Sequence, residues 1–132
     1  MSTDAARVLK APGLYVVCVD GNDLPIDRDP RRKECLRIGR LNCKFGRAKN
    51  LRKRCRDYLK VFAGNIVTFK VIAILDDIDA AEAACIRSLS NYRVRKLRGR
   101  PHEWLEGITP AEVESIVRDT LNSSSFARIT GF

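Results

Sequence analysis

The stretch C-K-F-G-R-A-K-N-L-R-K-R-C-R-D-Y, Cys43 to Tyr58, admits few local structures. Lys44 and Phe45 read as the end of a short strand, and Gly46 as the residue that lets the backbone enter a tight or left-handed turn. Asn50 stands where a helix N-cap belongs. From there Leu51, Cys55, Tyr58, Leu59 and Phe62 recur at helical spacing, which predicts an amphipathic helix with one face on a core. The opposite face carries Arg52, Lys53, Arg56 and Lys60, while Arg54 falls at the edge of the apolar stripe, one helical turn before Tyr58. A cation held in place by packing is what a phosphate-handling site requires.

The chain has 132 residues, a length that suits one domain with a core large enough to need no cross-links. Its net charge is +9, and the excess is local: between Arg28 and Lys60 there are fourteen Lys and Arg, nine of them Arg, against three Asp and Glu. A basic face of that density points to a polyanion, nucleic acid foremost, with a merely solvating surface as the alternative. The forked donors of arginine favour phosphate further. No apolar run reaches the roughly eighteen residues that suggest a membrane span. The opening M-S-T-D-A-A-R-V-L-K lacks the apolar core of a signal peptide, so the expected compartment is the cytoplasm. Cys18, Cys35, Cys43, Cys55 and Cys85 are odd in number and form no C-x-x-C pair, so reduced, small core side chains are expected rather than a zinc site.

Taken in order, residues 1–11 read as a poorly ordered or loosely docked lead-in, and L-Y-V-V-C-V after Pro12-Gly13 as a buried strand. A long polar excursion over about 20–40 follows, then a second strand between Leu36 and Phe45 broken near Gly39. After the basic helix, Gly64 and Asn65 act as stops, and I-V-T-F-K-V-I-A-I-L reads as a central strand. A helix is expected from about Ala80 to Leu89 with Asp76, Asp77 and Asp79 at its positive end. An irregular basic segment comes next, with room for a short strand. Thr109-Pro110 with Glu112 then forms a capping box ahead of a helix whose stripe is Val113, Ile116, Val117 and Leu121. This order implies an α/β (α+β) domain over 12–121, a small antiparallel three-stranded sheet flanked by helices, with a tail over 122–132.

Several short motifs in that order resemble the GIY-YIG nuclease superfamily. Gly13-Leu14-Tyr15 stands for the first tripeptide and Lys44-Phe45-Gly46 for the second. Asn50-Leu51-x-x-Arg54-x-x-x-Tyr58 follows the family's asparagine–leucine, arginine and aromatic spacing, and Glu82 falls where its metal-binding glutamate lies. Glu103-Trp104-Leu105 resembles an E-W-F ending found in phage-type and bacterial branches, so the likeness covers about 13–105. Two features depart from the family: twenty-eight residues separate Tyr15 from Lys44, making 20–40 an insertion, and Lys44 replaces a tyrosine, or Arg37 does if Arg37-Ile38-Gly39 is the second tripeptide; Lys44 is preferred because Asn50, Leu51 and Arg54 then fall in register.

The resemblance implies a DNA endonuclease using Mg²⁺ or Mn²⁺. Glu82 would hold the cation, Arg54 would brace the scissile phosphate, and Tyr15 would orient or deprotonate the water. Lys44 would contact phosphate or act as a base, and Tyr58 would support Arg54 or touch phosphate. Arg28, Arg31, Arg32 and Lys33, with Arg47, Lys49, Arg52, Lys53 and Arg56, would supply backbone contacts without sequence information. Each has a plainer reading: Tyr15 and Tyr58 as core aromatics, Arg54 and Glu82 as solvated helix charges, Trp104 as a plug at the sheet edge. His102 reads either as a cleft acid–base or as a solvated loop residue. On the same fold, the rival to an enzyme is an eroded nucleic-acid-binding module; a basic protein-interaction domain is the other.

Overall fold

The computed structural model of the chain describes residues 1–20, 24–27, 36–38, 42–95 and 101–124. Among the described residues, seven strands and three α-helices follow one another as β1 (Gly13–Asp20), β2 (Leu24–Asp27), β3 (Leu36–Ile38), β4 (Asn42–Ala48), α1 (Leu51–Val61), β5 (Ile66–Ile74), α2 (Ile78–Leu89), β6 (Arg93–Arg95), β7 (Pro101–Glu106) and α3 (Pro110–Ser124). The expected α+β class with an antiparallel sheet holds. The sheet has five strands in the order β5-β1-β4-β7-β6 rather than three, because the basic segment after α2 supplies β6 and β7. The broken second strand resolves into two: β3 pairs with β2 in a separate two-stranded ribbon, and β4 enters the main sheet.

β1 is buried on both faces, which is why its sequence is a continuous apolar run instead of an alternation. Leu14 and Val16 join Phe45, Ile72, Leu89, Val113 and Val117 in a core beneath α2 and α3. Tyr15, Val17 and Val19 point the other way, into a second core with Leu51, Cys55, Tyr58, Phe69 and Trp104 beneath α1. Among the described residues Cys18, Cys43, Cys55 and Cys85 are free thiols, three of them buried; Cys35 lies outside the described residues. No described helix is long and apolar enough to cross a membrane.

Two sequence expectations are corrected. β5 is an edge strand, not a central one, and its first half does alternate: Val67 and Phe69 are buried, Ile66, Thr68 and Lys70 exposed. The lead-in seals that edge. Thr3 N–H donates to Val67 O, Val67 N–H to Ser2 Oγ and Phe69 N–H to Thr3 Oγ1, all at 2.8 Å. Residues 1–11 are therefore docked, with Val8 buried, and an otherwise exposed row of backbone groups is covered.

The same lead-in completes the start of α1. An α-helix leaves its first four N–H groups without internal partners. Here Leu51 N–H goes to Ala11 O and Arg52 N–H to Leu9 O, while Lys53 N–H goes to the Asn50 side chain and Arg54 N–H to Asn50 O. Asn50 is thus the cap, as its position suggests, and the lead-in supplies the other two acceptors. Gly64, at φ +88°, follows the helix end. At α3 the capping box closes reciprocally, Thr109 N–H to Glu112 Oε1 at 3.1 Å and Glu112 N–H to Thr109 Oγ1 at 3.2 Å.

Candidate functional site

Strand alternation sorts β4 into two sets. Lys44 and Gly46 lie on the α1 side with Tyr15, whereas Phe45 and Arg47 lie on the α2 side. The pairing of β4 with β7 ends at Lys44 opposite Trp104, so the remainder of that edge has no strand beside it among the described residues. A cleft of about 550 Å³ opens there. Its walls come from β1 (Tyr15), from β4 and the residue after it (Lys44, Arg47, Lys49), from α1 (Arg54) and from α2 (Asp79, Glu82).

On the α1 side, Tyr15 is fully buried, its ring stacked on Phe69 at 4.6 Å and edge-on to Tyr58 at 5.7 Å. The Tyr15 and Tyr58 hydroxyls are hydrogen-bonded at 2.8 Å, and Arg54 Nη1 donates to Tyr15 Oη at 3.4 Å. Lys44 Nζ stands 5.5 Å from the centre of the Tyr58 ring, close enough for a cation–π contact. Burial pushes the Tyr15 phenol far above the usual tyrosine range and nearby Tyr58 adds to this, against the opposing pull of Lys44 and Arg54.

Gly46 does not serve a left-handed turn. It lies within β4 directly opposite Tyr15, and a Cβ there would stand 2.6 Å from Tyr15 Oη and 2.8 Å from Cζ. The glycine is required by close approach. Gly13 is excluded from carrying a side chain for a similar reason, since a Cβ would meet Ala73 O at 2.2 Å.

On the α2 side, Asp79, Glu82, Ile86 and Leu89 repeat along one helical face and all line the cleft. Arg47 bridges the two acids, with Nε 2.6 Å from Asp79 Oδ1 and Nη1 bonded to Glu82 Oε1. That pair raises the affinity of Arg47 for its proton, chiefly through the hydrogen bond to Glu82. Asp79 is the partner that sequence reasoning missed; its three-residue spacing from Glu82 was the available signal.

Tyr15, Lys44, Arg47, Lys49, Arg54 and Glu82 are therefore brought together, with Tyr58 directly behind Tyr15. Other expected residues are not. Arg52 turns its Nε to Val8 O at 2.7 Å and helps pin the lead-in, while Lys53 and Arg56 are exposed on α1 away from the cleft. Arg28, Arg31, Arg32 and Lys33 lie outside the described residues, as does the side chain of His102. Trp104 is buried and meets Phe62 edge-on at 6.2 Å, so it fills the core under α1 rather than offering a stacking face. Among the described residues no three His, Cys, Asp or Glu cluster as a metal-binding group.

Four cations against two carboxylates, around an aromatic pair locked by hydrogen bonds, define a site suited to a phosphate-bearing polymer. The comparisons agree with that class: the chain belongs to the T5orf172 domain family, whose model matches residues 26–121. This is a phage-associated domain related to GIY-YIG- and HNH-like nucleases, which makes the chain a nuclease-like or nucleic-acid-binding module. No curated protein and no solved structure matches the chain.

Proposed function

We propose that the chain is a divalent-metal-dependent endonuclease of GIY-YIG type that hydrolyses the phosphodiester backbone of DNA. The observation that carries this reading is the convergence of Tyr15, Lys44, Arg54 and Glu82, from four separate elements, on one cleft. Hydrolysis needs an oriented water, charge neutralisation at phosphorus and support for the leaving oxygen. Arg54 turns one donor to Tyr15 and keeps others for the scissile phosphate, where they oppose the charge that grows in the transition state. Tyr15 keeps its proton at neutral pH, so it orients the water by hydrogen bonding instead of deprotonating it. Tyr58 fixes the Tyr15 hydroxyl, and Lys44 supplies a phosphate contact where the family has tyrosine.

The acid on α2 fits the implied cation. Glu82 is a shielded carboxylate with an open cleft in front of it, and an oxygen-only site that leaves most positions to water and phosphate suits Mg²⁺ or Mn²⁺. When bound, such an ion supplies Lewis-acid activation of water or neutralises the departing oxygen. Arg47 and Lys49, with Arg28, Arg31, Arg32, Lys33, Lys53 and Arg56, contact the phosphate backbone, and their contribution falls with salt. The protein acts in the cytoplasm, where its thiols stay reduced.

A second reading, a binding module that does not cut, is favoured by the lysine at position 44 and by the hold of Arg47 on Glu82. Supercoiled plasmid decides between them. Nicking in Mg²⁺ or Mn²⁺ that is lost in EDTA and in Glu82→Ala is the expected result. Tight, salt-sensitive binding with no nicking by the native protein would make it the binding module.

A further inference from the structure

The two acids held by Arg47 are not equivalent. Asp79 is 81% exposed, a surface partner screened by water, whereas the Glu82 side chain is only 15% exposed. A carboxylate so far stripped of water requires a counter-charge, and here the guanidinium provides it. A guanidinium and a divalent cation brought to one carboxylate repel each other, so each weakens the other's hold on Glu82. Arg47 itself is 46% exposed and stands at the cleft with Lys44, Lys49 and Arg54, where the ligand matched to its fork is a phosphate diester.

We propose that Arg47 is an exchangeable counter-ion for Glu82: it neutralises the carboxylate until a backbone phosphate draws the guanidinium away, which leaves Glu82 to a divalent cation. The proposal rests on the nuclease reading and adds an order to it. Polyanion and cation then assist each other's binding, each by the same factor, as linkage requires. Metal loading is in this way favoured on protein that already holds nucleic acid.

Two binding measurements test this without reference to cutting, and both substitutions lie at the cleft surface, with circular dichroism to verify the fold. In EDTA, the affinity for a short fluorescein-labelled DNA duplex is read by anisotropy for the native protein, Glu82→Gln, Arg47→Gln and the double variant. Glu82→Gln releases Arg47 and is expected to tighten binding by about fivefold or more, a typical coupling, but by less than about twofold when Arg47 is already Gln. Without DNA, Mn²⁺ binding is followed by the loss of its free-ion electron paramagnetic resonance signal. Arg47→Gln is expected to bind Mn²⁺ about fivefold or more tightly than the native protein, and Glu82→Gln to lose it. Equal tightening by Glu82→Gln in both backgrounds, or unchanged Mn²⁺ affinity in Arg47→Gln while Glu82→Gln loses it, overturns the exchange and leaves the nuclease reading standing. Mn²⁺ binding that survives Glu82→Gln removes the cation from that residue and overturns both.

Discussion

Gly46→Ala puts the register of β1 and β4 under direct test. The added methyl would lie 2.6 Å from Tyr15 Oη and 2.8 Å from Cζ, well inside van der Waals contact. Tyr15 has no room to yield, being fully buried with Phe69 stacked at 4.6 Å and Tyr58 against its edge. Overpacking of this kind costs about 1–3 kcal/mol. Moving the hydroxyl also breaks its bonds to Tyr58 and Arg54, each worth about 1 kcal/mol. A total of roughly 3–5 kcal/mol lowers the melting temperature by about 10–20 °C for a domain of this size. Urea denaturation of the native protein, Gly46→Ala, Tyr15→Phe and the double variant measures it. Because Oη is the nearest colliding atom, the double variant should lose less than the sum of the single losses. A Gly46→Ala loss below about 0.5 kcal/mol, the range of ordinary surface changes, would refute the close approach.

Tyr15 also gives the protein an alkaline weakness. The unfolded phenol ionises near about pH 10 while the buried one holds its proton to higher pH, so above that point the native state binds more protons and stability falls as pH rises. Tyr15→Phe should flatten this decline in urea midpoints taken across the alkaline range; an unchanged slope would contradict the burial argument. At α3, Thr109→Ala removes one half of the capping box and should cost about 1 kcal/mol, read from the urea midpoint.

Features set by neighbours along the chain were legible in the sequence. The α1 stripe, the Asn50 cap, the Thr109–Glu112 box and the stripe of α3 depend on spacings of three and four residues, and each formed as those spacings imply. What depended on distant partners was not. β5 is apolar enough for a central strand, yet it lies at the sheet edge and is covered by residues 2–3, whose pairing no local pattern announces. In the sequence Gly46 has the look of a conformational glycine, because its collision with Tyr15 exists only once β1 and β4 are in register. Arg52 had the right charge for phosphate, but the helix start it occupies turns it to the lead-in. The Arg47–Glu82 pair joins a strand to a helix 35 residues on, and only the fold brings them together.

The central claim is that Arg54 and Glu82 belong to one catalytic centre. Single-turnover nicking of supercoiled plasmid in Mg²⁺ by the native protein, Arg54→Gln, Glu82→Gln and the double variant tests it most directly. Residues that act as a unit are non-additive, so the double variant should be no slower than the worse single one. Rate losses that multiply in the double variant, or a native protein that binds DNA and never nicks it, would contradict the account.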